Sequence, residues 1–489
     1  MKNISVNSQL FSSALWSVLS RWSMKAVGLV NTVILARLLS PDDFGVVAMA
    51  SLVVGVLYSF SELGVQTYLI RERNVDSSLC NTAWTLQIIQ YCLIALLLIL
   101  LAPYAAIYFD ENRVVPIIYF FALSSFIEGF CNIGTVFFLK ELNFSRDFLF
   151  NLSKRLLVFI ITLIAAIKLK NYWALVIGQV FGATLGVVLS YLLHGYRPSF
   201  SLARYRDLLK FSLAMIPINI GVYLNNKVDV LLAGRIADTA LLGGYNMASE
   251  LSGLFTRELI YPIGRGLFPN FAKIKDNVDE LALAYMDSFK FIVLISFPLG
   301  FGMFTIANDF VLVVLGGQWD MVAPYLKWLS FYATLECLIQ LMNGRILVVT
   351  GNEAFSALFM WFRLIVIASS AIFFIINWGI SSLPFAMFFA VLILFPFSVV
   401  VLSKSIKVPF FNIVQVFVSP LFGSLIMMET LIETPFDHWI SQPLIRMFSE
   451  SFVGAIVYIF VVYLVWFING RPDGVERMVL GFIQNKIFI

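Results

Sequence analysis

The sequence predicts an all-α, polytopic membrane protein of about fourteen transmembrane helices. These are expected to form two six-helix lobes related by a pseudo-two-fold repeat, with two further helices at the C-terminal end. Three observations predict it: an apolar composition, a succession of spanning-length runs, and an internal repeat near the midpoint. Of the 489 residues 60% are hydrophobic and only 13% charged, against roughly 45–50% and about 25% in soluble domains. Such a chain must be solvated mainly by lipid. The net charge of +4 is spread over short loops and excludes a nucleic-acid-binding patch. Cys80, Cys92, Cys131 and Cys337 are isolated in or beside apolar segments and read as small hydrophobes, and His194 and His438 read as loop residues. No metal site or cofactor is expected.

Taken in order, the apolar runs fall at 12–38, 44–70, 80–108, 114–139, 147–168, 172–194, 208–235, 241–268, 284–307, 323–349, 354–377, 379–403, 409–431 and 450–468. The first is too long for the apolar region of a secretory signal and is interrupted by Arg21 and Lys25, so direct insertion is expected. With the N-terminus inside, cytoplasmic loops hold about eighteen Lys and Arg, among them Arg71, Arg73, Lys140, Arg204 and Lys407, and outer loops about seven. That asymmetry places both termini in the cytoplasm.

The segment 33–51, VILARLLSPDDFGVVAMAS, is similar to 230–249, VLLAGRIADTALLGGYNMAS. The offset is about 197 residues, so runs 1 and 2 correspond to runs 7 and 8, and an even repeat keeps both halves in one orientation. The expected organisation is an N-terminal lobe over 1–196, a C-terminal lobe over 197–405, and an appended pair of helices with a tail over 406–489.

A charge at a helix centre costs about 2.5–3.5 kcal/mol on insertion scales, so each one should face protein or a wet cavity. Run 1 carries Arg21 and Lys25 on one face, run 2 Glu62, run 7 Lys227 and Asp229, and run 8 Glu250, Arg257 and Glu258. Runs 3 to 6 offer Glu128 and Asn132 and are expected to hold few other charges. Glu336 and Arg363 are further candidates, the latter close enough to an interface to snorkel. Two arrangements meet the cost. The ions can pair with one another and hold helices together, although buried pairs roughly break even with apolar packing. Alternatively they line a wet cavity in which Arg21, Lys25, Lys227 and Arg257 neutralise a phosphate or pyrophosphate. Glu62, Asp229, Glu250 and Glu258 are then charge partners or sites for a coupling proton or sodium ion. Pro217, Pro262 and Pro298 are candidate bends.

The segments LARLLSPDDFGVVAMAS at 35–51, ELGVQTYLIRE at 62–72 and GGQW at 316–319 resemble the polysaccharide transporter branch of the multidrug/oligosaccharidyl-lipid/polysaccharide exporter superfamily. The likeness is to Wzx-type flippases, and among them to the colanic-acid and teichuronic-acid exporters. The resemblance implies a two-lobed fold in a bacterial inner membrane that moves undecaprenyl-pyrophosphate-linked oligosaccharides outward by alternating access. It implies a lipid-linked oligosaccharide and membrane lipids as partners, polysaccharide assembly proteins beside them, a monomer, and no enzymatic activity. Related lipid II flippases use cavity cations on spans 1, 2 and 8; here span 2 offers Glu62 and no cation, which departs from that pattern. A multidrug or cation antiporter of the same superfamily would share the fold but should have a cavity of carboxylates and aromatics. A membrane polysaccharide polymerase or ligase should carry a large catalytic outer loop, and no outer loop here exceeds about twenty residues.

Overall fold

The computed structural model describes residues 22–61, 64–141, 143–274, 277–343 and 345–470; side chains are described for these apart from 61, 214, 255, 257–270, 272, 278, 345, 348 and 353. The described secondary structure is helical. The first helix, α1, runs over 22–38. It is followed by α2 (Pro41–Ser61), α3 (Val65–Arg71), α4 (Ser77–Phe109), α5 (Val114–Glu128), α6 (Val136–Lys140), α7 (Phe144–Leu169), α8 (Trp173–Leu193) and α9 (Tyr205–Gly234). Next come α10 (Thr239–Lys273), α11 (Val278–Val314), α12 (Val322–Asn343), α13 (Arg345–Val349), α14 (Glu353–Trp378), α15 (Leu383–Ile406), α16 (Phe410–Glu433), α17 (Phe436–Trp439) and α18 (Pro443–Ile468).

Among the described residues each predicted run coincides with a helix or a broken helix; 12–21 of the first run lie outside them. Among the described residues eight helices are long and apolar enough to cross a membrane, and ten if each of two bent pairs is one span. The other four runs are helical as α1, α7, α10 and α12 but fall outside that set. Both bent pairs have a physical cause. In α9 the bend of 41° separates Tyr205–Leu213 from Met215–Gly234. Pro217 lacks the donor for the carbonyl of Leu213, four residues back, and its ring crowds that carbonyl.

The other pair, α5 and the segment Ile133–Lys140, is bent by 73°. Here the sequence reads as one continuous run, but the backbone opens over 129–132. Irregular backbone at membrane depth survives only if its polar groups are satisfied by protein. Gln87 of α4 donates to the carbonyls of Gly129 (3.1 Å) and Cys131 (3.0 Å). The amide of Asn132 donates to Ser190 Oγ at 3.0 Å, and the Asn132 side chain bonds the Tyr196 carbonyl and the Gly134 amide.

The chain divides into two compact units, Met1–Gly243 and Gly244–Ile489. In the first, α4 packs on α5, α5 on α8 and α8 on α7, with α2 against α4, α5 and α9. In the second, α11 packs on α12, α12 on α15 and α15 on α14, and α16 and α18 pack on each other and on α11. The third, fourth, fifth and sixth runs of each half therefore pair in the same order, so the repeat read from the first hairpin is present in the packing. Large apolar side chains such as Ile107, Leu192 and Ile376 point outward, as a lipid solvent allows.

The α1–α2 turn shows what its SPDD sequence does. Asp43 accepts from the Ser40 amide (3.0 Å) and hydroxyl (2.6 Å), capping α2, and from the Tyr172 amide (2.8 Å). Asp42 takes a bidentate contact from Arg113 (2.6 and 3.1 Å) and a hydrogen bond from the Thr239 hydroxyl. Arg113 also grips Glu111 at 2.7 Å, and these bonds hold the Glu111 carboxyl below the usual carboxylate range. Gly45 and Gly243 let the first turns of α2 and α10 touch. A Cβ on Gly45 would lie 1.7 Å from the Thr239 carbonyl oxygen, and one on Gly243 2.0 Å from that of Pro41.

Candidate functional site

The first unit holds an intramembrane polar cluster on α2, α5 and α7. Its backbone support is a ladder of glycines on α8. Gly178, Gly182 and Gly186, each one turn apart, face Thr162, Val158 and Lys154 of α7, also one turn apart in the opposite direction. Small residues at this spacing let membrane helices approach closely. At the end of the ladder the Lys154 side chain lies across Gly186, where an added Cβ would come within 3.0 Å of Nζ.

From there Lys154 Nζ reaches Glu128 Oε1 at 3.6 Å, with both side chains about one third exposed, 32% and 33%. The Tyr58 hydroxyl donates to Glu128 Oε2 at 3.4 Å and exchanges a 3.0 Å bond with Ser125 Oγ. Tyr58 also meets the ring of Tyr91 edge-on. The neighbouring Arg155 lies against α1, its guanidinium so close to Gly28 that a Cβ there would clash at 2.0 Å. Lys25 lies three residues before Gly28 and so on the same face of α1. Three cations, Lys25, Lys154 and Arg155, thus stand on the facing helices α1 and α7, with Glu128 and Tyr58 as the acceptor and donor beside them. Tetrahedral oxyanions such as phosphates suit that donor set.

The second unit carries a different pair. Arg363 of α14 meets Glu336 of α12 at 2.7 Å, with side-chain exposures of only 9% and 7%, and Gln340 donates to the same Glu336 oxygen at 2.7 Å. Arg363 is therefore drawn inward to its carboxylate and does not snorkel to an interface. On α18, Arg446 bridges Asp309 of α11 and Asp437 of α17, which fastens the C-terminal helix to the bundle.

The predicted residues fall as follows. Arg21 and Glu62 lie outside the described residues, as do the side chains of Arg257 and Glu258. Lys25 is exposed on α1, Lys227 is half-buried and Asp229 is buried on α9, at 5% exposure, and Glu250 is exposed on α10. Sequence reading passed over Lys154 and Arg155, expecting few charges in runs 3 to 6. The available signal was the adjacent pair ten residues inside α7, opposite the GxxxGxxxG stripe of α8. The four cysteines are all free.

A bundle with this many helices long and apolar enough to cross a membrane belongs to the class of multi-pass membrane proteins. Residues 34–324, more than half of the chain, match the family described as polysaccharide biosynthesis protein. The chain belongs to that family. It is 25% identical over 341 residues to the lipopolysaccharide biosynthesis protein WzxC of Escherichia coli strain K12, covering 68% of each chain. It is 24% identical over 319 residues to the succinoglycan biosynthesis transport protein ExoT of Rhizobium meliloti, covering 64% of each. Among solved structures, the lipid II flippase MurJ in an inward closed conformation superposes with a TM-score of 0.68 over 93% of this chain and 99% of its own, at 15% identity, which places the fold. These relatives are named for biosynthesis, transport and flipping; the chain itself is a multi-pass membrane protein of the polysaccharide biosynthesis family.

Proposed function

We propose that the chain is a flippase that carries undecaprenyl-pyrophosphate-linked oligosaccharide repeat units across the bacterial cytoplasmic membrane by alternating access, for lipopolysaccharide, capsule or exopolysaccharide synthesis. The observation that carries the reading is the set of cations at membrane depth, Lys25, Lys154 and Arg155, on the facing helices α1 and α7. Lys154, at one third exposure, is costly in a membrane unless it meets an anion, and Glu128 is the carboxylate it meets. A pyrophosphate passing through would exchange with Glu128 for Lys154. Arg21, Lys25, Lys227 and Arg257 complete the proposed phosphate contacts, with Glu62, Asp229, Glu250 and Glu258 as charge partners or coupling-ion sites. Both termini are cytoplasmic, and the repeat halves are 1–196 and 197–405, followed by 406–489.

The test is export in cells that lack their own flippase and supply the matching glycan. Arg21→Ala, Arg257→Ala and Lys154→Ala are each expected to lower surface polymer at least about tenfold, one charge-assisted bond's worth, with unchanged membrane levels of the protein. Normal polymer in all three sinks the phosphate assignment.

A further inference from the structure

In the second unit, the ends of four helices line a cavity of about 990 Å³. They are the start of α11, the end of α15, the start of α16 and the end of α18, so the cavity opens at one membrane interface. Its size is at the upper end of the roughly 300–1,000 Å³ of small-ligand pockets. One part of its wall is polar: Asp279, Lys290 and Lys407. The other, deeper along the helices, is hydrocarbon: Leu294, Val416 and Val465.

The two cations are weakly engaged. Lys290 has Asp287 at 3.8 Å, and Lys407, which caps α15 in the left-handed conformation (φ 54°), takes part in no ion pair among the described residues. Ser419 lines the same wall, its Oγ buried without a hydrogen-bond partner. A buried hydroxyl left unbonded costs on the order of 1–3 kcal/mol, which an oxygen-rich ligand would relieve. Polar walls at the interface and apolar walls inward call for an amphiphile with a phosphoryl head. Asp279 selects among such amphiphiles: it opposes the high negative charge of a pyrophosphate and accepts an ammonium group.

We propose that this cavity binds one aminophospholipid, its phosphate between Lys290 and Lys407, its ammonium on Asp279, and an acyl chain along Leu294, Val416 and Val465. This site is independent of the proposed transport path and can fail or hold without it.

The test is native mass spectrometry of the full chain in detergent, with phosphatidylethanolamine, phosphatidylglycerol or undecaprenyl pyrophosphate added at equal concentration. The expected result is a one-to-one adduct strongest with phosphatidylethanolamine. The adduct should fall about tenfold in the Lys290→Gln/Lys407→Gln double variant, and the preference over phosphatidylglycerol should vanish in Asp279→Asn. As a second measurement on the unmodified protein, phosphatidylethanolamine with brominated acyl chains should quench the fluorescence that Trp466→Phe removes, since Trp466 lines the cavity. Adducts unchanged by the substitutions, a stronger adduct with the isoprenoid pyrophosphate, or no quenching of Trp466 would overturn the proposal.

Discussion

Two ion pairs occupy matching places in the two halves. Glu128 stands on the fourth run and Lys154 on the fifth; Glu336 follows Glu128 by 208 residues on the tenth run, and Arg363 follows Lys154 by 209 on the eleventh. The chemistry is the same and the setting is not. The first pair is loose, at 3.6 Å, and one third exposed; the second is tight, at 2.7 Å, and almost fully buried, with Gln340 bonded to it. A pair open to water is weak and exchangeable, since screening leaves it well under 1 kcal/mol in many cases. A buried pair is costly to form and costlier to break. The matching places thus hold pairs of two kinds: a buried clamp between α12 and α14, and a looser, half-open pair between α5 and α7.

The comparison can be broken most severely in the second unit. Arg363→Ala leaves Glu336 charged and unpaired in the interior, and a loss of about 3–5 kcal/mol is expected, read as a lower unfolding temperature in detergent. Replacing both partners with Leu should recover most of it, and no recovery would mean that the pair does more than clamp. A middle-sized effect is expected from Gly186→Leu, whose side chain enters the space of Lys154 and overpacks the α7–α8 seam by about 1–3 kcal/mol. Thermal unfolding reads that cost, and export should fall with it because Lys154 is displaced from Glu128. The smallest change in stability belongs to Glu128→Gln, below about 1 kcal/mol for so exposed a pair. Equal destabilisation by Glu128→Gln and Glu336→Gln in the same assay would erase the distinction between the two pairs.

The helices were legible because lipid demands apolar runs of a fixed length, and α8, predicted at 172–194, begins and ends within a residue of that range. The break inside run 114–139 was legible only in part. Gly129, Asn132 and Gly134 mark the place, but the groups that satisfy the opened backbone, Gln87 and Ser190, stand 42 and 58 residues away along the chain. The family motif was read correctly as a turn, but its acids turned out to be a cap and a tether, Asp43 to Ser40 and Tyr172 and Asp42 to Arg113 and Thr239. Trp319 of GGQW is fully buried behind a turn that begins at Gly316, with φ 99°. The site was legible only in kind. Lys154 and Arg155 sit within two to three turns of Arg146 and Asp147 at the start of α7 and resemble a continuation of those terminal charges. Only the tertiary register of the α8 glycines places Lys154 at the α7–α8 seam, and only Gly28 of α1 shows where Arg155 lies.

The contact of Gly45 with Gly243 is reciprocal. Aligned by their shared ends, Met-Ala-Ser at 49–51 and 247–249, the two repeat segments set Pro41 against Thr239 and Gly45 against Gly243, and each glycine lies under the carbonyl of the other's partner. Each glycine is therefore held by backbone beside the other, and a side chain at either position would part the crossing whichever residue stood opposite.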